Sequence, residues 1–341
     1  MQNKNDVFFF GAGFSKSLNN SYPTLAELSK HFIEQGHIYN NEKIYQENIE
    51  QLLTYLISPL PFKTKEEILR DEASYLEKIN IINSFFINLH NVKSIDMNNE
   101  DIKILSKFIN QNKNTCITLN YDLLLEQILS KDTLYECFYK FPINSLSSRG
   151  KELHHRVFTP LKDDLFKQHT PEIIKLHGSI NWYHNRSISN SQIYIYDNQR
   201  APEYYLDMLK IDMHPLIIPP ILDKTSNYNH TIIQVLWMKA FNAIVKAKNI
   251  YIYGFSFPLS DLSIVYLFQK ALQLNKNNYT IYVINTNRNL SSKKKRYIDI
   301  FGENKCNFEF CCENNFKKFT KYLSHYIKED PDDEIEKLLK S

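Results

Sequence analysis

Five short runs of the chain are almost wholly apolar and rich in β-branched and aromatic residues: Val7–Phe10, Cys116–Leu119, Ile173–Leu176, Ile250–Tyr253 and Tyr279–Ile284. None alternates apolar with polar, so each predicts a strand buried on both faces. Between them, apolar positions recur at helical spacing over Leu25–Gln35, Tyr45–Ile57, Lys65–Val92 (one helix or two), Asn99–Gln111, Leu123–Leu129 and Leu262–Leu272. Strands alternating with helices predict an α/β fold with a doubly wound parallel sheet. Roughly a hundred residues separate the first strand from the second, far more than one crossover helix needs. A helical subdomain inserted at about 20–112 accounts for them. A second insertion, about 179–228, carries one candidate strand at Ile193–Tyr196 and the proline-stiffened segment Ile217–Pro220. The core domain is thus expected over 1–315, followed by a helix and an acidic-basic tail over 316–341.

Glycine sharpens this picture because it is scarce. The chain has 7 glycines in 341 residues, where average usage would give roughly two dozen. Gly11, Gly13, Gly178 and Gly254 each follow an apolar run directly. The residues after the five strands are Gly11-Ala12-Gly13-Phe14-Ser15, Asn120-Tyr121-Asp122, His177-Gly178, Gly254-Phe255-Ser256 and Asn285-Thr286-Asn287. In open α/β sheets, ligands sit outside the carboxyl ends of the strands. Five strands therefore deliver glycine or polar residues to one edge.

Each motif alone has a plainer explanation. Gly11-Ala12-Gly13 is half of a dinucleotide fingerprint, with Lys16 where a third glycine belongs, and a tight turn explains it as well. Asn120 and Asp122 are good helix caps, and Asp261 is expected to cap the helix after it. Ser256 and Asn285 fit turns. His177 is either a structural residue or a general base. Trp182 and Trp237 are expected in the core or a pocket wall.

Charge and cysteine usage narrow the class. The formal net charge is +3, from 41 basic and 38 acidic residues, too balanced for nucleic acid as an obligatory partner. The cluster Lys293-Lys294-Lys295-Arg296 reads as a solvated helix face. No run reaches the ~18 apolar residues of a membrane helix, and the start at Met1–Asp6 lacks the apolar core of a signal peptide. A soluble cytoplasmic protein is expected. The five cysteines, Cys116, Cys137, Cys306, Cys311 and Cys312, form no C-x-x-C pair, so neither a disulfide framework nor a zinc site is expected. Cys311 and Cys312, at the end of a further predicted strand, are expected to be buried thiols.

Taken together, the motifs resemble the sirtuin family. Gly11-Ala12-Gly13-Phe14-Ser15 resembles its GAGxS loop, and Thr118-Leu119-Asn120-Tyr121-Asp122 its T-x-N-x-D motif. Lys175-Leu176-His177-Gly178 matches the catalytic His-Gly, Gly254-Phe255-Ser256 the later G-x-S loop, and Val283-Ile284-Asn285 the segment that holds the adenosine ribose. The order is the sirtuin order, and it implies a Rossmann-like fold. The missing zinc cysteines, the long insertion and the continuation Ser179-Ile180-Asn181-Trp182 point within that family to the sirtuin-like NAD hydrolases of bacterial anti-phage defence.

That resemblance implies NAD as substrate and no metal. Asn120 would orient water and ribose, His177 act as base, and Asp122 contact the nicotinamide carboxamide. Gly11, Ala12, Gly13, Phe14 and Ser15 would bind the diphosphate, while Gly254, Ser256 and Asn285 would face the phosphates and adenosine ribose. It also implies a gate, through a separate sensor chain or self-association into an oligomer, with nucleic acid involved only through that partner. An NAD-dependent protein deacylase and a non-catalytic module sensing NAD or ADP-ribose are the alternatives.

Overall fold

The computed structural model describes residues 5–39, 42, 48–92, 95–130, 135–141, 143–149, 152–158, 170–185, 192–196, 213–222, 224 and 228–328. Its strands are β1 (Val7–Phe10), β2 (Thr115–Thr118), β3 (Ile143–Arg149), β4 (Glu152–Phe158), β5 (Glu172–Lys175), β6 (Gly178–Asn185), β7 (Tyr194–Tyr196), β8 (Met213–Ile217), β9 (Asn249–Tyr253), β10 (Thr280–Asn285) and β11 (Cys306–Cys311). Six of them form one parallel sheet in the order β11-β10-β9-β1-β2-β5. In chain order this is 6-5-4-1-2-3, the dinucleotide-binding order, and its direction reverses between β1 and β9.

Alternation along β1 explains why the run Phe8-Phe9-Phe10 is apolar throughout. The Phe8 ring packs edge-on to Phe108 and tilts against Phe319. Phe9 points to the other face, against Phe255 and Phe268. All three are fully buried, because helices cover both faces of the sheet. The helices are α1 (Ala12–Leu18), α2 (Leu25–Glu34), α3 (Ile49–Ile57), α4 (Lys65–Val92), α5 (Glu100–Asn112), α6 (Leu124–Leu129), α7 (Thr231–Lys246), α8 (Leu262–Leu274), α9 (Leu290–Phe301) and α10 (Asn315–Ser324).

Several expectations need correction. Lys65–Val92 is one 28-residue helix. The run ending at the cysteine pair supplies a sixth strand of the sheet, β11, and Cys311 and Cys312 are reduced and half-buried, not buried. The second insertion holds more than one strand: β6, β7 and β8 join the hairpin β3–β4 in a second sheet, β4-β3-β7-β6-β8. Residues 45–47 and 329–341, parts of an expected helix and of the tail, lie outside the described residues. The helix α10 docks on α5, where Thr320 Oγ1 donates to Asp101 and Gln111 exchanges hydrogen bonds with the Lys328 backbone. Among the described residues no helix is long and apolar enough to cross a membrane.

Candidate active site

Sheet register sets the site. Phe10 pairs with Thr118 and with Tyr253, Tyr253 with Ile284, and Thr118 with Lys175. Gly11, Gly254 and Asn285 therefore leave the sheet at one level, and Asn120 and His177 leave adjacent strands at the next. At the switch point the two glycine loops touch. Gly11 N–H donates to the Tyr253 carbonyl, and Gly13 N–H to the Gly254 carbonyl (both 2.9 Å). Gly254 has φ +66°, and a Cβ there would lie 2.3 Å from the Phe14 nitrogen, so only glycine fits. The two glycine amides are thus used in tying loops together, while Ala12 stays exposed at the head of α1. The Phe14 ring is buried against Phe10 and Tyr253, and Ser256 is exposed on the same edge.

Beyond β2, Asn120 is locked from behind. Its Nδ2 donates to the Gly11 carbonyl (3.0 Å) and to Ser15 Oγ (2.8 Å). A carbonyl only accepts, so the amide can face only one way. Its Oδ1 is left as a free acceptor. Ser15 Oγ donates in turn to Asp122 Oδ2 (2.7 Å), and Asp122 Oδ1 accepts from Leu124 N–H (3.0 Å), starting α6. Burial raises the Asp122 carboxyl above its ordinary range, and the Lys175 charge and these hydrogen bonds oppose the rise.

Lys175 supports this loop from below. Its ammonium is fully buried, donates to the carbonyls of Asp122 and Tyr121, and pairs with Glu126 (3.0 Å), which also accepts from Tyr139 Oη (2.6 Å). Lys175 is two residues from His177, so one side chain joins the ends of β2 and β5.

His177 occupies the crossing from the first sheet to the second. Its carbonyl accepts from Ile218 N–H (2.8 Å), and Gly178 begins β6. At Gly178 φ is +76°, and a Cβ would lie 1.9 Å from the Leu216 carbonyl oxygen. The imidazole is 5 % exposed, and its Nε2 is buried without a partner. Burial pushes its pKa down to about 4, the Asp261 charge opposing and the Lys224 charge assisting. The ring is therefore neutral at pH 7, with a free lone pair or N–H according to tautomer.

Sequence reasoning missed three neighbours. Asp261 makes no side-chain cap; it pairs instead with Lys224 (2.5 Å), which also donates to the Ser260 carbonyl. Nothing in the local pattern around Lys224 signals a partner 37 residues away. Asn181 is buried with both side-chain polar atoms unpartnered. It stood in a quoted motif, but only the structure reveals its unpaired state. Trp182 is a core residue against Tyr139 and Phe141, and Trp237 donates to the Leu176 carbonyl (3.3 Å). Among the described residues no group of His, Cys, Asp and Glu side chains is placed to hold a metal ion.

A family model, SIR2-like domain, matches residues 114–310, more than half of the chain and five of its six parallel strands, leaving out β1 and the final helix. The chain belongs to the SIR2-like domain family. No curated protein matches it. Among solved structures it is similar to a Sir2 in complex with the inhibitor EX-527, 2′-O-acetyl-ADP-ribose and a deacetylated p53 peptide, at 10 % identity and a TM-score of 0.39, over 94 % of this chain and 93 % of that one. It is also similar to a chain from work on the structural basis of sirtuin substrate affinity, at 12 % identity, a TM-score of 0.40 and the same coverage. Strand order and the family match, not these two likenesses, carry the assignment of this SIR2-like chain.

Proposed function

We propose that this SIR2-like protein is an NAD glycohydrolase, splitting NAD and water into ADP-ribose, nicotinamide and a proton. The observation that carries the reading is the pairing of Asn120 Oδ1, a fixed free acceptor, with His177 Nε2, a buried unpartnered ring nitrogen, at one level of adjacent strands. The nicotinamide–ribose bond breaks through an oxocarbenium-like state, its electron pair passing to the nicotinamide nitrogen. Asn120 orients the water that adds to C1′, and neutral His177 takes a proton from that water or from a ribose hydroxyl. Such a role contributes about 10²–10⁴-fold.

The loop at Gly11–Ser15, with Gly254 and Ser256, faces the diphosphate, and Asn285 the adenosine ribose. With both carboxylate oxygens engaged, Asp122 acts as a positioning residue through Ser15. Asn181 offers the donor and acceptor that match a carboxamide, so it shares the nicotinamide end with the Asp122 loop.

Uncontrolled NAD loss is lethal, so the activity is placed under a separate sensor chain or self-assembly, as an effector of bacterial anti-phage defence. A partner shifts the enzyme only by its differential affinity for the active form. The test is nicotinamide release from NAD by the purified protein, across protein concentration and with co-expressed neighbours, with and without an acyl-lysine peptide. Release without peptide is the expected result. Release only with peptide identifies a deacylase, and binding without turnover in any arm identifies a sensing module.

A further inference from the structure

The loop after β10 and the first turns of α9 carry Arg288, Lys293, Lys294, Lys295 and Arg296. A solvated helix face was expected for the last four, and only Lys295 behaves that way. Lys293, Lys294 and Arg296 are half-buried. Lys293 Nζ turns back to the sheet edge, donating to Asn285 Oδ1 (3.0 Å) and Thr286 Oγ1 (3.3 Å). Arg296 Nε donates to the Phe257 carbonyl (3.0 Å), bracing the loop after β9, and one of its terminal nitrogens is buried without a partner. Among the described residues no carboxylate forms an ion pair with any of these five cations. Burial, with the charge of Arg288 beside it, presses the Lys293 ammonium below its ordinary range. Two like charges near one another, Lys293 partly desolvated beside Arg288, favour an anion between them.

The geometry of Asn285 says where that anion belongs. Its Oδ1 accepts from Thr286 N–H (2.8 Å) as well as from Lys293, so Nδ2 is the atom left to meet a ligand. This position is one residue past β9 in register, beside the switch point. Sites that select an unphosphorylated adenosine ribose place a carboxylate against the 2′-hydroxyl, whereas sites for a 2′-phosphate place cations there. Here the side chains on offer are an amide donor and cations.

We propose that this edge reads a phosphate on the 2′-oxygen of the adenosine ribose, so that the site binds 2′-phosphorylated dinucleotides in preference to unphosphorylated ones. The inference rests on the reading of this edge as a dinucleotide site with its adenosine end at Asn285. The cleaved bond lies at the other end of the ligand, so the chemistry at Asn120 and His177 is unchanged.

Calorimetric titration of the full chain with ADP-ribose and with 2′-phospho-ADP-ribose tests this without any dependence on turnover. The phosphorylated ligand is expected to bind about tenfold more tightly, the worth of one charge-assisted hydrogen bond, and the ratio should shrink as salt is raised. Lys293→Met should bring the ratio close to one, and Arg288→Gln, in an exposed loop where folding is not at stake, should reduce it. If ADP-ribose binds and its 2′-phosphate binds equally or more weakly, the inference is overturned while the dinucleotide reading stands. A preference that survives both substitutions overturns it too, since the phosphate is then read elsewhere. If neither ligand binds, the dinucleotide reading fails and takes the inference with it.

Discussion

The carboxyl ends of β2 and β5 lie side by side, yet they hold their polar groups in opposite ways. At the end of β2, Asn120, Ser15 and Asp122 form a chain of buried hydrogen bonds, anchored by Leu124 N–H and supported by the Lys175–Glu126 pair. At the end of β5, His177 is fixed through its backbone, by Ile218 and the turn at Gly178, while its ring nitrogen Nε2 has no partner. Such a network fixes direction, because the Asn120 amide nitrogen is held and its Oδ1 alone is left to meet a ligand. An unpaired buried base is reactive but costs stability. Placing the two at one level of a rigid sheet combines a fixed acceptor with a base kept neutral.

The contrast can be broken first at Lys175. Removing one member of a fully buried ion pair leaves the other unpaired, so Lys175→Met should cost about 3–5 kcal/mol in a urea titration. Lys175→Met with Glu126→Leu should recover much of that. A single substitution costing under about 1 kcal/mol would show that the network is not what holds the β2 end.

The β5 end predicts a pH signature of about 3 kcal/mol. Folded His177 titrates near 4, against about 6.5 unfolded. Above pH 6.5 both states are neutral and the full stability is present. As pH falls from 6.5 toward 4, the unfolded chain takes up a proton that the folded chain refuses, so stability is lost over that window. His177→Gln should lack this loss. Parallel pH–stability curves for the two proteins would contradict the buried neutral ring.

A smaller effect sharpens the link between the two ends. Tyr121 Oη donates to the Ile218 carbonyl (2.6 Å), while Ile218 N–H holds the His177 carbonyl. Tyr121→Phe should cost about 1–2 kcal/mol and, on the proposed function, lower NAD turnover by less than loss of the Asn120 or His177 side chain. At the bottom of the scale, a strong zinc chelator should leave melting temperature and turnover unchanged, as the cysteine spacing predicts; elemental analysis finding one tightly bound zinc per chain would contradict that.

The contrast also explains what was legible in the sequence. Five strands of the parallel sheet were, because a strand buried on both faces must be apolar throughout, as Val7–Phe10 and Ile250–Tyr253 are; the edge strand β11, with Asn307 and Glu309 in it, lacks that pattern. The turn at His177-Gly178 was legible as well, since a positive φ and a carbonyl against the Cα demand glycine, but its continuation into a second sheet was not. Of the second sheet only β7 was, as Ile193–Tyr196; five of the seven residues of Ile143–Arg149 are polar, and β6 passes through Asn181, so neither has the pattern of a buried strand. The charge pairs were equally hidden. Lys224 meets Asp261, and Lys175 meets Glu126, across 37 and 49 residues, and a partner chosen by the fold leaves no local spacing to read. Lys293 misled for the same reason: a basic run on a helix looks solvated until the strand beside it is in place.

The most direct test of the account is nicotinamide release from NAD by the wild type, Asn120→Ala, His177→Ala and the double variant, with folding checked for each by circular dichroism. Two groups acting on one water lose their effect together. The account predicts a fall of at least about a hundredfold for each single variant and little further loss in the double. A folded Asn120→Ala or His177→Ala protein that cleaves NAD at the wild-type rate would contradict it.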